Sequence, residues 1–349
     1  MKKIEDIDKN FKSDIPVFEG MKTLDVRKPP FDLYGLKFSD VGFFRMETDV
    51  ADRVSDGVSA LNFHTSGGVV RFRTDSGRLI LTADMPEVCY FNHMPLTGTS
   101  SFSVYCDGAF LGVIGAPSTD AYKGVWSGEK KLPEGEKELE IFFPLYNGVK
   151  NVYISVEENA SLSSGKKHED SLPIVFYGSS ITQGGCASHP GNAYHNMIAR
   201  HFNREILNLG FSGSCKAEDA MCDYISALPM SLLVYDYDHN APTVEFLEET
   251  HERFFVNFRK KNPTVPVLMI SVADNSFGRE SIEKRKAIIK RTFGNAKKSG
   301  DKNVYFLDGQ RFYDDIGVDN ATVDTCHPND LGFYAFYKNI SEFIKENDL

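Results

Sequence analysis

The spacing of apolar residues changes once along this chain, and that change bounds what the chain can fold into. From about residue 36 to residue 158 the period is two. Val69-Val70-Arg71-Phe72-Arg73 and residues 78–82 read as short strands on either side of Asp75-Ser76-Gly77. Phe102, Val104 and Cys106 alternate with Ser103 and Tyr105 and run into Asp107-Gly108, a strong hairpin signal. Leu139 and Ile141 alternate with Glu138 and Glu140, and Val152, Ile154 and Val156 with Tyr153 and Ser155. Many short strands between Gly, Asp and Pro turns predict an antiparallel β-sandwich of jelly-roll kind. Beyond Pro173 the apolar runs 174–177, 206–209, 232–235, 267–272 and 304–307 are separated by segments with helical spacing. That alternation predicts a parallel sheet covered on both faces by helices. The organisation is therefore a sandwich over 1–160 followed by an α/β domain over 172–349. Residues 159–171, N-A-S-L-S-S-G-K-K-H-E-D-S, have the composition of a linker, with His168 solvated inside it.

In the α/β half, Ile174-Val175-Phe176-Tyr177 is a buried strand by composition, closed by Gly178-Ser179-Ser180. The carboxyl ends of such strands are where ligands and reacting groups collect, and a serine raised there exposes its hydroxyl. Three further segments follow strands in the same way: Gly210-Phe211-Ser212-Gly213, Asp236-Tyr237-Asp238-His239-Asn240, and Asp324-Thr325-Cys326-His327-Pro328 ahead of the last helix. Together they hold what acyl transfer requires: a nucleophile, a base, a group that orients the base, and donors for an oxyanion.

In these four segments, taken in order, the second half resembles the SGNH (GDSL-type) hydrolase family. The resemblance covers roughly residue 173 to the C-terminus and implies a flavodoxin-like three-layer fold. Gly178-Ser179-Ser180-Ile181-Thr182 matches the family's first block and implies Ser180 as nucleophile. Gly213 matches the second block, implying that its N–H joins that of Ser180 in an oxyanion hole. Asn240 matches the third and would donate its side-chain amide there, with neighbouring His239 a competitor for that role. Asp324-Thr325-Cys326-His327 matches the fourth, implying His327 as base and Asp324 as its partner. Ser179 stands where the family has aspartate, and the third block carries Asp238 and Ala241 in place of its usual glycine and aspartate. A preceding sandwich and the G-S-S-I-T-Q-G-G form of the first block are similar to the subgroup with an N-terminal jelly-roll domain, several members of which are carbohydrate esterases. The resemblance implies a serine esterase acting on short acyl esters, acetyl above all, on a small-molecule or oligosaccharide alcohol, with no cofactor or metal.

Other readings stay on the table. A long-chain lipase or thioesterase would use the same residues, but no long apolar lid-like segment is present. A metal-dependent deacetylase would draw on Asp236, Asp238 and His239, although neighbours along an extended strand face opposite sides. In a non-catalytic carbohydrate-binding protein the sandwich would act through exposed aromatics such as Tyr122 and Trp126; the plainer role for the sandwich is to brace the second domain and lend a loop to its cleft. Cys186, Cys215 and Cys326 lie close to the blocks, where buried small hydrophobes are the expected role. His64 and His93 stand alone in sequence, and they, like His189, His195, His201 and His251, are expected to be structural or solvated. A net charge of −10 argues against nucleic acid or an anionic membrane surface as partner. The six cysteines form no C-x-x-C pair, and no apolar segment follows Lys2 and Lys3, so reduced thiols and a cytoplasmic location are expected. A trimmed secretion signal would reverse that expectation.

Overall fold

The computed structural model describes residues 16–117, 124–169 and 172–349. Two antiparallel sheets enclose the front core. One runs in the order Met21–Asp25, Asn151–Glu157, Arg78–Asp84, Val125–Lys131. The other runs Leu162–Ser164, Val69–Thr74, Lys137–Phe142, Phe102–Cys106, Ala109–Ile114, with Asp32–Tyr34 also paired to Val69–Thr74. The alternating apolar residues meet between them: Phe72, Leu81, Val104, Leu139, Ile141 and Ile154 share one core. This is the expected sandwich.

Some of its parts escaped the period-two pattern. Met21-Lys22-Thr23-Leu24-Asp25 has no clean alternation, yet it zips antiparallel along residues 153–157. Leu162–Ser164 falls in the expected linker but is an edge strand, because Leu162 alone anchors it on the sandwich core. His168 is not solvated: it contacts Arg71 Nη1 at 3.3 Å and the Asn203 carbonyl at 3.1 Å, and lies edge-on to the Tyr34 ring at 4.4 Å. Burial and the Arg71 charge push it down to about 4. Trp126 is not an exposed sugar platform. Its register partner is Ala83, whose small side chain leaves room for the indole to turn inward, 6.0 Å from Phe102. Tyr122 lies outside the described residues. Two short helices, Thr48–Val54 and Asp56–Leu61, were also unread; with Met46 they send Ala51 and Val58 into the core of the other half.

The second half is a five-stranded parallel sheet in the order Ile206–Gly210, Ile174–Gly178, Leu232–Asp236, Val267–Ile270, Val304–Leu307. In that order the chain reverses direction between its first and third strands, the switch point where such sheets bind ligands. Tyr177 and Tyr235 face helices Asp219–Ala227, Val244–Lys261 and Arg279–Lys298. Phe176 and Val234 face Tyr194–Phe202 and Asp330–Glu346. The fourth strand stops at Ile270 rather than reaching Val272, because the Val272 N–H is taken by the Asp238 carboxylate at 3.0 Å.

Three histidines within these cores set an acid limit on stability. His64, His195 and His251 are each held down to about 3, by burial first and, for the first two, by the charge of Arg45. In the unfolded chain each titrates near the ordinary value of about 6.5. Below that pH the unfolded state takes up protons the folded state refuses, so stability falls as pH drops. Around pH 5 the expected loss is about 1.4 kcal/mol per pH unit for each, about 4 for the three together. Urea midpoints measured from pH 7 down to 5 should fall steeply; a flat profile contradicts this.

Candidate active site

Ser180 opens the one-turn helix Ser180–Gln183, directly after the first parallel strand. The turn is sharp for two reasons. A Cβ on Gly178 would sit 2.1 Å from Thr182 Oγ1 and 2.4 Å from the Asp236 carbonyl, so only glycine fits. Ser179 then caps the helix, its Oγ accepting from the Ile181 N–H at 3.2 Å. Serine and aspartate both serve at this position, which explains how Ser179 can replace the family's aspartate without joining the chemistry.

His327 Nε2 lies 2.9 Å from Ser180 Oγ. Its Nδ1 lies 2.7 Å from Asp324 Oδ2. Thr325, at φ +69°, folds the loop tightly enough for Asp324 Oδ1 to accept also from the N–H groups of His327 at 2.7 Å and Cys326 at 3.1 Å. Partial burial opposes the charge on Asp324, but the donors of His327 and Cys326 outweigh it and hold the carboxyl below the usual carboxylate range. Serine, imidazole and carboxylate thus form one hydrogen-bonded line.

The N–H groups of Ser180 and Gly213 have no acceptor among the described residues. Gly213 has φ +67° with open space on its Cβ side, a conformation suited to glycine. Asn240 donates Nδ2 to the Phe211 carbonyl at 2.9 Å, which ties the third segment to the second. His239 is drawn elsewhere: its Nε2 meets Asp274 Oδ2 at 2.5 Å and its Nδ1 lies 3.3 Å from Asp238 Oδ1. Burial would discharge it, but Asp274 and Asp238 raise it well above the ordinary histidine value. It is a charged strut between strands and not a free donor for an oxyanion.

The geometric objection to a metal at Asp236, Asp238 and His239 does not hold, since the strand ends at Asp236 and a 3-10 turn brings their donor atoms within 4.8 Å of one another. Cys186 and Cys215 are buried as expected, whereas Cys326 is half-exposed; burial pushes Cys186 up to about 12 and raises Cys215 and Cys326, so none favours a thiolate.

The sandwich reaches this site, which the sequence barely signalled. Tyr146 OH donates to the Ser180 carbonyl at 3.0 Å, and Ser66 Oγ donates to the Gln183 carbonyl at 2.6 Å. Gln183 in turn donates to the Leu145 carbonyl at 3.2 Å and accepts from the Ser212 N–H at 3.0 Å. Gln183 was visible in the first block but had no assigned partner. His93, which stands alone in sequence, lies with its ring 5.6 Å from that of His327, and Phe91 packs beside it on Tyr146. By contrast, a recess of about 550 Å³ beside Arg259, Pro263 and Asn303 sits at the opposite rim of the sheet.

The GDSL-like lipase/acylhydrolase family model matches residues 171–345, and the model for the N-terminus of SGNH-type esterases matches 21–162. No curated protein matches the chain. Among solved structures, a protein described as a GDSL-like lipase from Bacteroides ovatus ATCC 8483 is 26% identical, with a TM-score of 0.83, over 93% of this chain and 97% of that one. A salicylyl-acyltransferase from a tetracycline biosynthetic pathway is 19% identical (TM-score 0.77) over 95% of this chain and 99% of the other. A family two carbohydrate esterase from Clostridium thermocellum, in complex with cellohexaose, is 14% identical (TM-score 0.63) over 91% and 98%. With its sandwich and its parallel sheet both accounted for, the chain belongs to the GDSL-like lipase/acylhydrolase family and is an SGNH-type ester hydrolase.

Proposed function

We propose that this hydrolase removes short acyl groups, acetyl above all, from a carbohydrate through an acyl-enzyme on Ser180. The observation that carries the reading is the unbroken line from Ser180 Oγ through His327 to Asp324, at 2.9 and 2.7 Å. Ser180 attacks the ester carbonyl carbon as its proton passes to His327 Nε2. Asp324 fixes the tautomer and stabilises the imidazolium. The developing oxyanion meets the N–H groups of Ser180 and Gly213 and the remaining amide hydrogen of Asn240. Collapse expels the sugar oxygen, which takes the proton from His327, and water then releases the acid by the same steps. Likeness of fold to a cellohexaose-bound esterase and to an acetyl xylan esterase from Butyrivibrio proteoclasticus supports the sugar alcohol and the acetyl group.

A panel of acetylated oligosaccharides and nitrophenyl esters of increasing acyl length tests the substrate. Acetyl esters should turn over fastest, and a preference for long chains would replace this reading with a lipase. Asn240→Ala should lower kcat by roughly a hundred- to a thousandfold. A loss under tenfold would remove Asn240 from the oxyanion hole.

A further inference from the structure

We propose that Cys186, His93 and His327 form a binding site for a zinc-like divalent cation, and that filling it silences the serine. The sulfur and one nitrogen of each imidazole lie within 4.8 Å of one another. Zinc binds sulfur at about 2.3 Å and nitrogen at about 2.0–2.1 Å, so a small closure completes the set. His93, half-exposed on a sandwich loop, can supply that movement. Both imidazoles are already oriented for a metal. His327 Nδ1 is held by Asp324 at 2.7 Å and His93 Nδ1 lies 3.0 Å from Asn92 Oδ1, leaving Nε2 of each as the ligand atom.

The third ligand is a residue that acyl transfer does not use. Cys186 follows Gly184-Gly185 at φ +73°, a strained conformation for a side chain. The sulfur would bind as the thiolate, its proton passing to solvent on coordination. Sulfur with two nitrogens selects zinc, cobalt or cadmium over magnesium or calcium. Binding takes the lone pair of His327 that would otherwise accept the Ser180 proton, so hydrolysis stops. The inhibitory part rests on reading His327 as the base; the binding part does not.

The test adds Co²⁺ to the full chain. A thiolate-to-cobalt charge-transfer band with strong visible bands should appear, and Zn²⁺ should displace it. Zn²⁺ should inhibit nitrophenyl acetate hydrolysis and EDTA should restore it. Cys186→Ser should lose the band and raise the half-inhibitory Zn²⁺ concentration by at least about tenfold, each rate being referred to the same variant's metal-free rate. Cys186→Gly, which suits the positive φ, is the second variant if the first does not fold. Cys326→Ser should keep the band, since it removes only the thiol near His239 and Asp274. No band in the wild type, a band surviving in both Cys186 variants, or equal inhibition by Mg²⁺ overturns the proposal. A band in a protein without esterase activity leaves the site standing and sinks the catalytic reading. Hydrolysis unimpaired by excess zinc with no cobalt band sinks the site and leaves the catalytic reading standing, whereas a band with unimpaired hydrolysis removes His327 as the base.

Discussion

Ser180→Ala is expected to lower ester turnover by roughly 10⁴- to 10⁶-fold with little change in the unfolding midpoint. Among the described residues the hydroxyl makes one side-chain hydrogen bond, to His327. Whatever activity survives reflects the oxyanion donors and substrate binding alone. A fluorophosphonate probe should label the wild type and leave Ser180→Ala unmarked. The neighbouring serine supplies the control. Ser179 is fully buried with its Oγ committed to the Ile181 N–H, so Ser179→Ala should cost about 1 kcal/mol of stability and still take the label. A labelled Ser180→Ala protein would end the account of Ser180 as nucleophile.

Asp324→Asn has the second-largest expected effect, a fall in kcat of roughly 10³- to 10⁴-fold, on the same ground as in other serine triads. The amide is nearly isosteric, and its oxygen can still accept from the backbone N–H groups of His327 and Cys326. The loop should therefore hold while the imidazole loses its acceptor and is free to adopt the wrong tautomer. The pH dependence of stability separates the two effects. Because the Asp324 carboxyl is depressed in the folded protein, its contribution is present above the ordinary carboxylate range and fades as pH falls through the depressed value. In Asp324→Asn that acid-side change should vanish while the loss of kcat persists at every pH. A variant within tenfold of wild type would reduce the site to a Ser180–His327 pair.

The two halves and the parallel sheet were legible because burial on one or both faces leaves a plain signature. Phe72 and Ile141 point into a core at every second position, and Ile174 to Tyr177 are apolar throughout because both sheet faces are covered. The line of Ser180, His327 and Asp324 was legible because each sits at a strand end or a loop with its own motif. What escaped detection depends on distant partners. Leu162 makes an edge strand only because Thr74 is there to pair with it. Trp126 turns inward only because Ala83 leaves space. His93, Tyr146 and Ser66 are unremarkable in sequence and acquire meaning from a surface contributed by another part of the chain.

The bracing of the Ser180 turn by Tyr146 and Ser66, with Arg45 reaching the Gly210 carbonyl and Met46, Ala51 and Val58 filling the other half's core, bears on modularity. A back half expressed by itself would carry a vacancy where those side chains belong and Ser180 on an unsupported turn. The two halves should therefore melt as one cooperative body, and grafting this catalytic half onto a foreign partner requires residues 45–66 and 145–146 to travel with it.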